Sequence, residues 1–98
     1  MNEPPHSGGR RCCRVIYEGR VQGVGFRFTT ASAAKTCQVN GYVRNCVDGT
    51  VELVAEGPSR NVERLLESLR ETFAGNIAGQ TVEEIAQSEP LWGFEIRR

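Results

Sequence analysis

Nine residues from Gly19 to Arg27, G-R-V-Q-G-V-G-F-R, bring together residue types suited to binding a phosphate. Glycines at 19, 23 and 25 let backbone fold tightly and come close to a ligand. The segment leaves an apolar stretch and enters an Ala-rich one, so a helix is expected to open there. A helix start presents unpaired N–H groups and the positive end of its dipole to an anion. Arg27 adds a planar fork of donors that matches phosphate oxygens. The unit reads as a phosphate cradle. It is not a Walker loop, because no Gly-Lys-Ser/Thr follows, and its glycines do not fit G-x-G-x-x-G.

Strand and helix signals around this loop say what must hold it. Cys13, Val15 and Tyr17 alternate with Arg14 and Glu18, which predicts a strand despite Ile16. Residues 26 to 37 lack Gly and Pro, and a helix would place Phe26, Thr30, Ala33, Ala34 and Cys37 near one face. Alternation resumes at Val39, with Val39, Gly41, Val43 and Asn45 on one side and Asn40, Tyr42 and Arg44 on the other. Asp48-Gly49 predicts a tight turn into a partner strand, where Val51, Leu53 and Ala55 alternate with Glu52, Val54 and Glu56. A second helix follows, with Ser59 as N-cap, an apolar stripe of Val62, Leu65, Leu66, Leu69 and Phe73, and Gly75 as its stop. Residues 80 to 87 suit a helix turn or a strand. The run from Trp92 to Arg97 alternates as a last strand shortened by Pro90 and Gly93, and Tyr42 and Trp92 read as packing residues.

This order predicts an α+β, ferredoxin-like βαββαβ sandwich, two helices on one face of a mainly antiparallel sheet. The first strand, first helix and second strand form a crossover unit, so the two strands run parallel. Their ends, near Gly19 and Asn45, and the start of the first helix therefore share one edge. Asn45 faces the helix side and converges with the loop and Arg27.

A cradle, an arginine and an asparagine lack a nucleophile with its base; Asp48 belongs to the turn, and Cys46 has no histidine nearby. Positioning and charge stabilisation must then carry the rate, which calls for a good leaving group. An acyl phosphate supplies one, since its carboxylate departs without protonation. Asn45 would hold a water in line with phosphorus, and the substrate's own oxygens would take the proton.

Gly19–Arg27, G-Y-V-R-N at 41–45, D-G-T-V-E at 48–52 and the terminal F-E-I-R resemble the acylphosphatase family, closely over Cys13 to Gly57 and more loosely beyond. The resemblance implies a ferredoxin-like fold and hydrolysis of carboxyl-phosphate bonds with neither cofactor nor metal. It puts the phosphate-binding arginine on Arg27, the water-orienting asparagine on Asn45, and the cradle of amides on Gln22, Gly23, Val24, Gly25 and Phe26. Family members often have Leu-Gly where this chain has Cys37-Gln38. A left-handed Gln38 at that helix end would cost about 1 kcal/mol.

Ninety-eight residues make one domain, read as a disordered leader over 1–11 and the acylphosphatase-like domain over 12–98. Twelve basic and twelve acidic side chains give zero formal charge, unlike a nucleic-acid binder. An RNA-recognition module shares the element order, yet its sheet aromatics have no counterpart in T-V-E-L-V-A-E, which is expected to expose two glutamates. No apolar run nears the ~18 residues that span a bilayer, and no signal peptide opens the chain. The four cysteines lack metal-site spacing and are read as free thiols, with a single disulfide left open. A cytoplasmic monomer acting on a small-molecule acyl phosphate is expected. A non-catalytic anion-binding module on the same scaffold is the alternative.

Overall fold

A computed structural model of the chain describes residues 9–86 and 90–98. Its elements are β1 (Arg10–Gly19), α1 (Phe26–Cys37), β2 (Asn40–Asn45), β3 (Val51–Pro58), α2 (Ser59–Thr72), β4 (Ile77–Glu84) and β5 (Phe94–Arg97). The five strands form one sheet in the order β4-β1-β3-β2-β5. β3 lies antiparallel between β1 and β2, β4 is antiparallel to β1, and β5 is parallel to β2. β1 and β2 are therefore parallel, as the crossover argument requires. The architecture is the ferredoxin-like α+β fold with β5 added beyond β2.

Strand alternation sorts the two faces. Cys13, Val15, Tyr17, Val43, Val51, Leu53 and Ala55 point to the helix side and join one core. Helix α2 and the residue that caps it, Phe73, contribute the whole expected stripe, with Val62, Leu65, Leu66 and Leu69 from the helix itself. From α1 come Phe26, Thr30, Ala34 and Cys37, with Ala33 partly buried. Phe26 packs its ring 5.0 Å from Tyr17 and 4.7 Å from Phe73, so the first residue of α1 is anchored in the core. Burial disfavours the Cys13 thiolate and pushes the thiol pKa up to about 11. Cys13, Cys37 and Cys46 are free thiols.

Several local expectations are corrected. Ser59 is the first residue of α2, not its cap; Pro58 stands at the cap position without a side-chain bond. The chain passes directly from β3 into the helix, and the Ser59 N–H donates to the Gly9 carbonyl at 2.8 Å. α2 ends at Thr72, ahead of Gly75, because the Phe73 carbonyl accepts from the N–H groups of Asn76 and Ile77 and turns the chain into β4. The ambiguous stretch after residue 80 belongs to strand β4 up to Glu84, while residue 87 lies outside the described residues. Trp92 does not pack: it is 86% exposed, since the last strand starts only at Phe94. β1 begins at Arg10, inside the stretch assigned to the leader, where Arg10 and Arg11 pair with Pro58 and Gly57. Residues 1–8 lie outside the described residues.

Glu52 departs most from expectation. It lies on the sheet face opposite the helices, yet it is 7% exposed. Arg14, at 3.2 Å, and Arg44 both pair with its carboxylate from the flanking strands. Two long arginine stems cover it, which the strand's own alternation could not disclose.

Candidate functional site

β1 stops at Gly19, and the connection to α1 runs across the carboxyl ends of β1 and β2. Gly23 and Gly25 have positive φ of 76° and 81°, a region that side-chain-bearing residues avoid. Nothing lies within 4 Å of where a Cβ at either position would stand, so the backbone is bare to solvent. The Thr29 N–H donates to the Gly25 carbonyl at 2.9 Å; from Gln22 to Phe28, no N–H donates to a described backbone carbonyl. These are the orphan donors of a helix start and of the turn before it.

A cavity of about 170 Å³ opens at this edge. Gly23, Gly25, Phe26 and Arg27 form its loop side, with buried Val21 beneath, and Asn45 reaches it from the end of β2. The strands' parallel arrangement thus brings Arg27 and Asn45, 18 positions apart, to one concavity. Arg27 forms no ion pair with a described residue. The Asn45 Oδ1 is buried and has no hydrogen-bond partner among the described residues. An orphaned buried acceptor costs free energy, on the order of 1–3 kcal/mol, unless a ligand or water meets it. A half-buried cation with no counter-ion among the described residues lies beside bare N–H groups, an arrangement suited to an anion.

Gln22 and Val24 do not line the cavity. Val24 is 43% exposed, whereas the Gln22 side chain turns to the hairpin between β2 and β3. Its Nε2 donates to the carbonyls of Cys46 and Thr50, both at 2.8 Å. Reading the sequence for backbone amides missed this tie between the loop and the residue after Asn45. An uncharged, two-donor side chain amid glycines was the available signal. Phe28 and Ile96 also line the cavity and were not foreseen. Asp48 serves the turn, as expected: its Oδ1 accepts from the Thr50 hydroxyl (2.7 Å) and N–H (3.1 Å), and these bonds hold its carboxyl below the usual range. No cluster of three or more His, Cys, Asp or Glu suited to a metal occurs among the described residues, and no helix there is long and apolar enough to cross a membrane.

The family model Acylphosphatase matches residues 13–96. The chain belongs to the acylphosphatase family. An acylphosphatase from Nocardia farcinica is 42% identical over 103 residues, covering 99% of this chain and 100% of that protein. One from Syntrophotalea carbinolica is 42% identical over 85 residues, covering 86% and 92%. The crystal structure of an acylphosphatase from Bacillus subtilis superposes with a TM-score of 0.79 at 32% identity, over 89% of this chain and 98% of that one. Membership places the chain among hydrolases acting on acyl phosphates.

Proposed function

We propose that this acylphosphatase-family chain hydrolyses the carboxyl-phosphate bond through the loop, Arg27 and Asn45. The phosphoryl group sits against the N–H groups of Gln22 to Phe26, and the Arg27 guanidinium spans two of its oxygens. Asn45 Oδ1 accepts a hydrogen from a water and holds that water opposite the leaving oxygen. The water oxygen bonds to phosphorus as the phosphorus–oxygen bond to the acyl group breaks. The bonding pair stays on the departing carboxylate, and the water's proton passes to a phosphoryl oxygen. Fixing water and phosphoryl group in line replaces a bimolecular encounter with a positioned one.

The observation carrying this reading is the meeting, in one cavity, of an arginine and a buried carboxamide oxygen that have no counter-ion and no hydrogen-bond partner among the described residues. Each lacks what the reaction supplies, an anion for the first and a water for the second. Free thiols at Cys13, Cys37 and Cys46 fit a reducing compartment, so a cytoplasmic location is part of the proposal, with the chain acting as a monomer. The test is phosphate release from acetyl phosphate by the purified chain, with and without excess chelator. Turnover in both is expected; no release above the uncatalysed rate would overturn the proposal.

A further inference from the structure

The glycine loop is fastened at its entrance by a residue 56 positions away. At Gly19, φ 119°, a Cβ would come within 2.3 Å of the Asn76 carbonyl oxygen and 2.6 Å of the Ala78 nitrogen. Only glycine permits the two segments to approach this closely. The pairing of β1 with β4 shifts register at the same point, with Glu18 opposite Gly79 and Gly19 opposite Ile77. Beyond the shift, the Arg20 N–H donates to the Asn76 carbonyl at 2.8 Å. In return the Asn76 Nδ2 donates to the Arg20 carbonyl at 3.1 Å.

Hydrogen-bond accounting explains why a side chain is used. Opposed residues of an antiparallel pair can exchange both bonds through their backbones. Asn76 cannot, because its own N–H donates to the Phe73 carbonyl at 2.9 Å and closes the turn out of α2. Its carboxamide supplies the missing donor. That turn also meets the loop's far end, where the Phe73 ring lies 4.7 Å from Phe26, the residue that opens α1 and lines the cavity. Between these ends Gly23 and Gly25 line the cavity with open space where a Cβ would stand. A stretch this bare takes its shape from where its ends are fixed.

We propose that Asn76 is a positioning residue for anion binding: its carboxamide fixes the peptide at Arg20 and so aims the N–H groups of Gln22 to Phe26 at one oxyanion. This rests on the hydrolysis proposed above. Asn76 does not line the cavity and acts through the Arg20 backbone. Those N–H groups hold the phosphoryl group both before and during reaction, so loosening them weakens substrate and inorganic phosphate alike. The chemical step changes little, since Arg27 and Asn45 stay on α1 and β2.

The experiment compares the wild type with Asn76→Leu, which keeps the branched shape without the donor, and with Asn76→Ala. Each is measured by calorimetric titration with inorganic phosphate, by acetyl phosphate kinetics and by urea unfolding. Both variants should bind phosphate about fivefold more weakly, the order of one lost hydrogen bond, and raise KM by the same factor with kcat within about twofold. Wild-type phosphate affinity and KM in both variants, with or without a lower urea midpoint, overturn the proposal, because the tie then serves stability alone. Wild-type affinity in Asn76→Leu with a loss in Asn76→Ala also overturns it, by making shape and not the bond responsible. A wild type that binds phosphate but releases none from acetyl phosphate overturns the hydrolysis, while the titrations still decide the role of Asn76. A wild type that binds no phosphate overturns both.

Discussion

Arg27, at the edge formed by the ends of β1 and β2, has no counter-ion among the described residues, whereas Arg14 and Arg44 on the sheet face opposite the helices share Glu52. The same contrast holds for other groups. Among the described residues Asn45 keeps an unpartnered buried oxygen, and the glycine loop keeps N–H groups without a backbone acceptor. On the opposite face Arg97 lies 4.0 Å from the centre of the Tyr42 ring and also pairs with Glu95. One region leaves its polar groups unsatisfied and the other satisfies them within the fold. Unsatisfied groups are a standing cost to stability, and a site that binds an anion and a water has a use for them. The comparison separates residues whose loss should harm turnover from residues whose loss should harm only folding.

Arg27→Ala is the strongest test of that separation. It should lower kcat/KM by on the order of 10²-fold or more, with little change in melting temperature, because no described partner loses a contact. Activity within threefold of wild type would show that the unpaired guanidinium is ordinary surface. Asn45→Ala should cut turnover by a comparable factor while inorganic phosphate still inhibits at the wild-type concentration. Loss of phosphate inhibition with normal turnover would contradict its assignment to the water.

Gln22 lies between the two regimes, since its side chain is paired but its backbone belongs to the loop. Gln22→Leu removes both bonds to the hairpin and should lower kcat/KM by about tenfold, with kcat and KM both worsened, as loop and Asn45 lose their mutual register. A change confined to stability would make the tie purely structural. Glu52→Gln should do the reverse. It removes the charge that Arg14 and Arg44 share, so urea unfolding should report a loss of about 1 kcal/mol, reduced by salt because both arginines are partly exposed. Activity per folded molecule should be unaltered; a catalytic defect would blur the two regions.

The smallest expected effect is a gain, remote from both regions. Gln38 caps α1 in the left-handed conformation, φ 60° and ψ 51°, the only positive φ outside glycine among the described residues. Gln38→Gly should raise unfolding stability by at most about 0.5 kcal/mol, the relief of Cβ strain less the added freedom of the unfolded chain. Unchanged kcat/KM with a higher urea midpoint is the expected pair of readings. A destabilised variant would show that the Gln38 side chain contributes more than its strain costs.

Local physics accounts for what could be read from the amino-acid order alone. Side-chain alternation marked the faces of β1 and β2, a 3.6-residue period marked the α2 stripe, and Asp48-Gly49 marked the hairpin. Each depends on neighbours only a few positions away. The strained cap at Gln38 was expected from the family resemblance instead, because relatives often carry glycine at that helix end. Glycine spacing and Arg27 pointed to the cavity where phosphate binding is proposed, and crossover topology was enough to bring Asn45 to the same edge.

Packing between distant segments decided the rest. Whether Ser59 capped a helix depended on Gly9, 50 positions earlier. Burial of Glu52 depended on arginines from two other strands, and the β4 pairing resolved an apolar pattern that suited either element. The Gln22 side chain took its direction from carbonyls 24 and 28 positions away. Ile96 met Phe28 at one rim only because β5 adds parallel to β2. Side-chain periodicity tells which way a residue faces on its own element. What it faces is set by the pairing of elements, and those contacts leave no trace in local spacing.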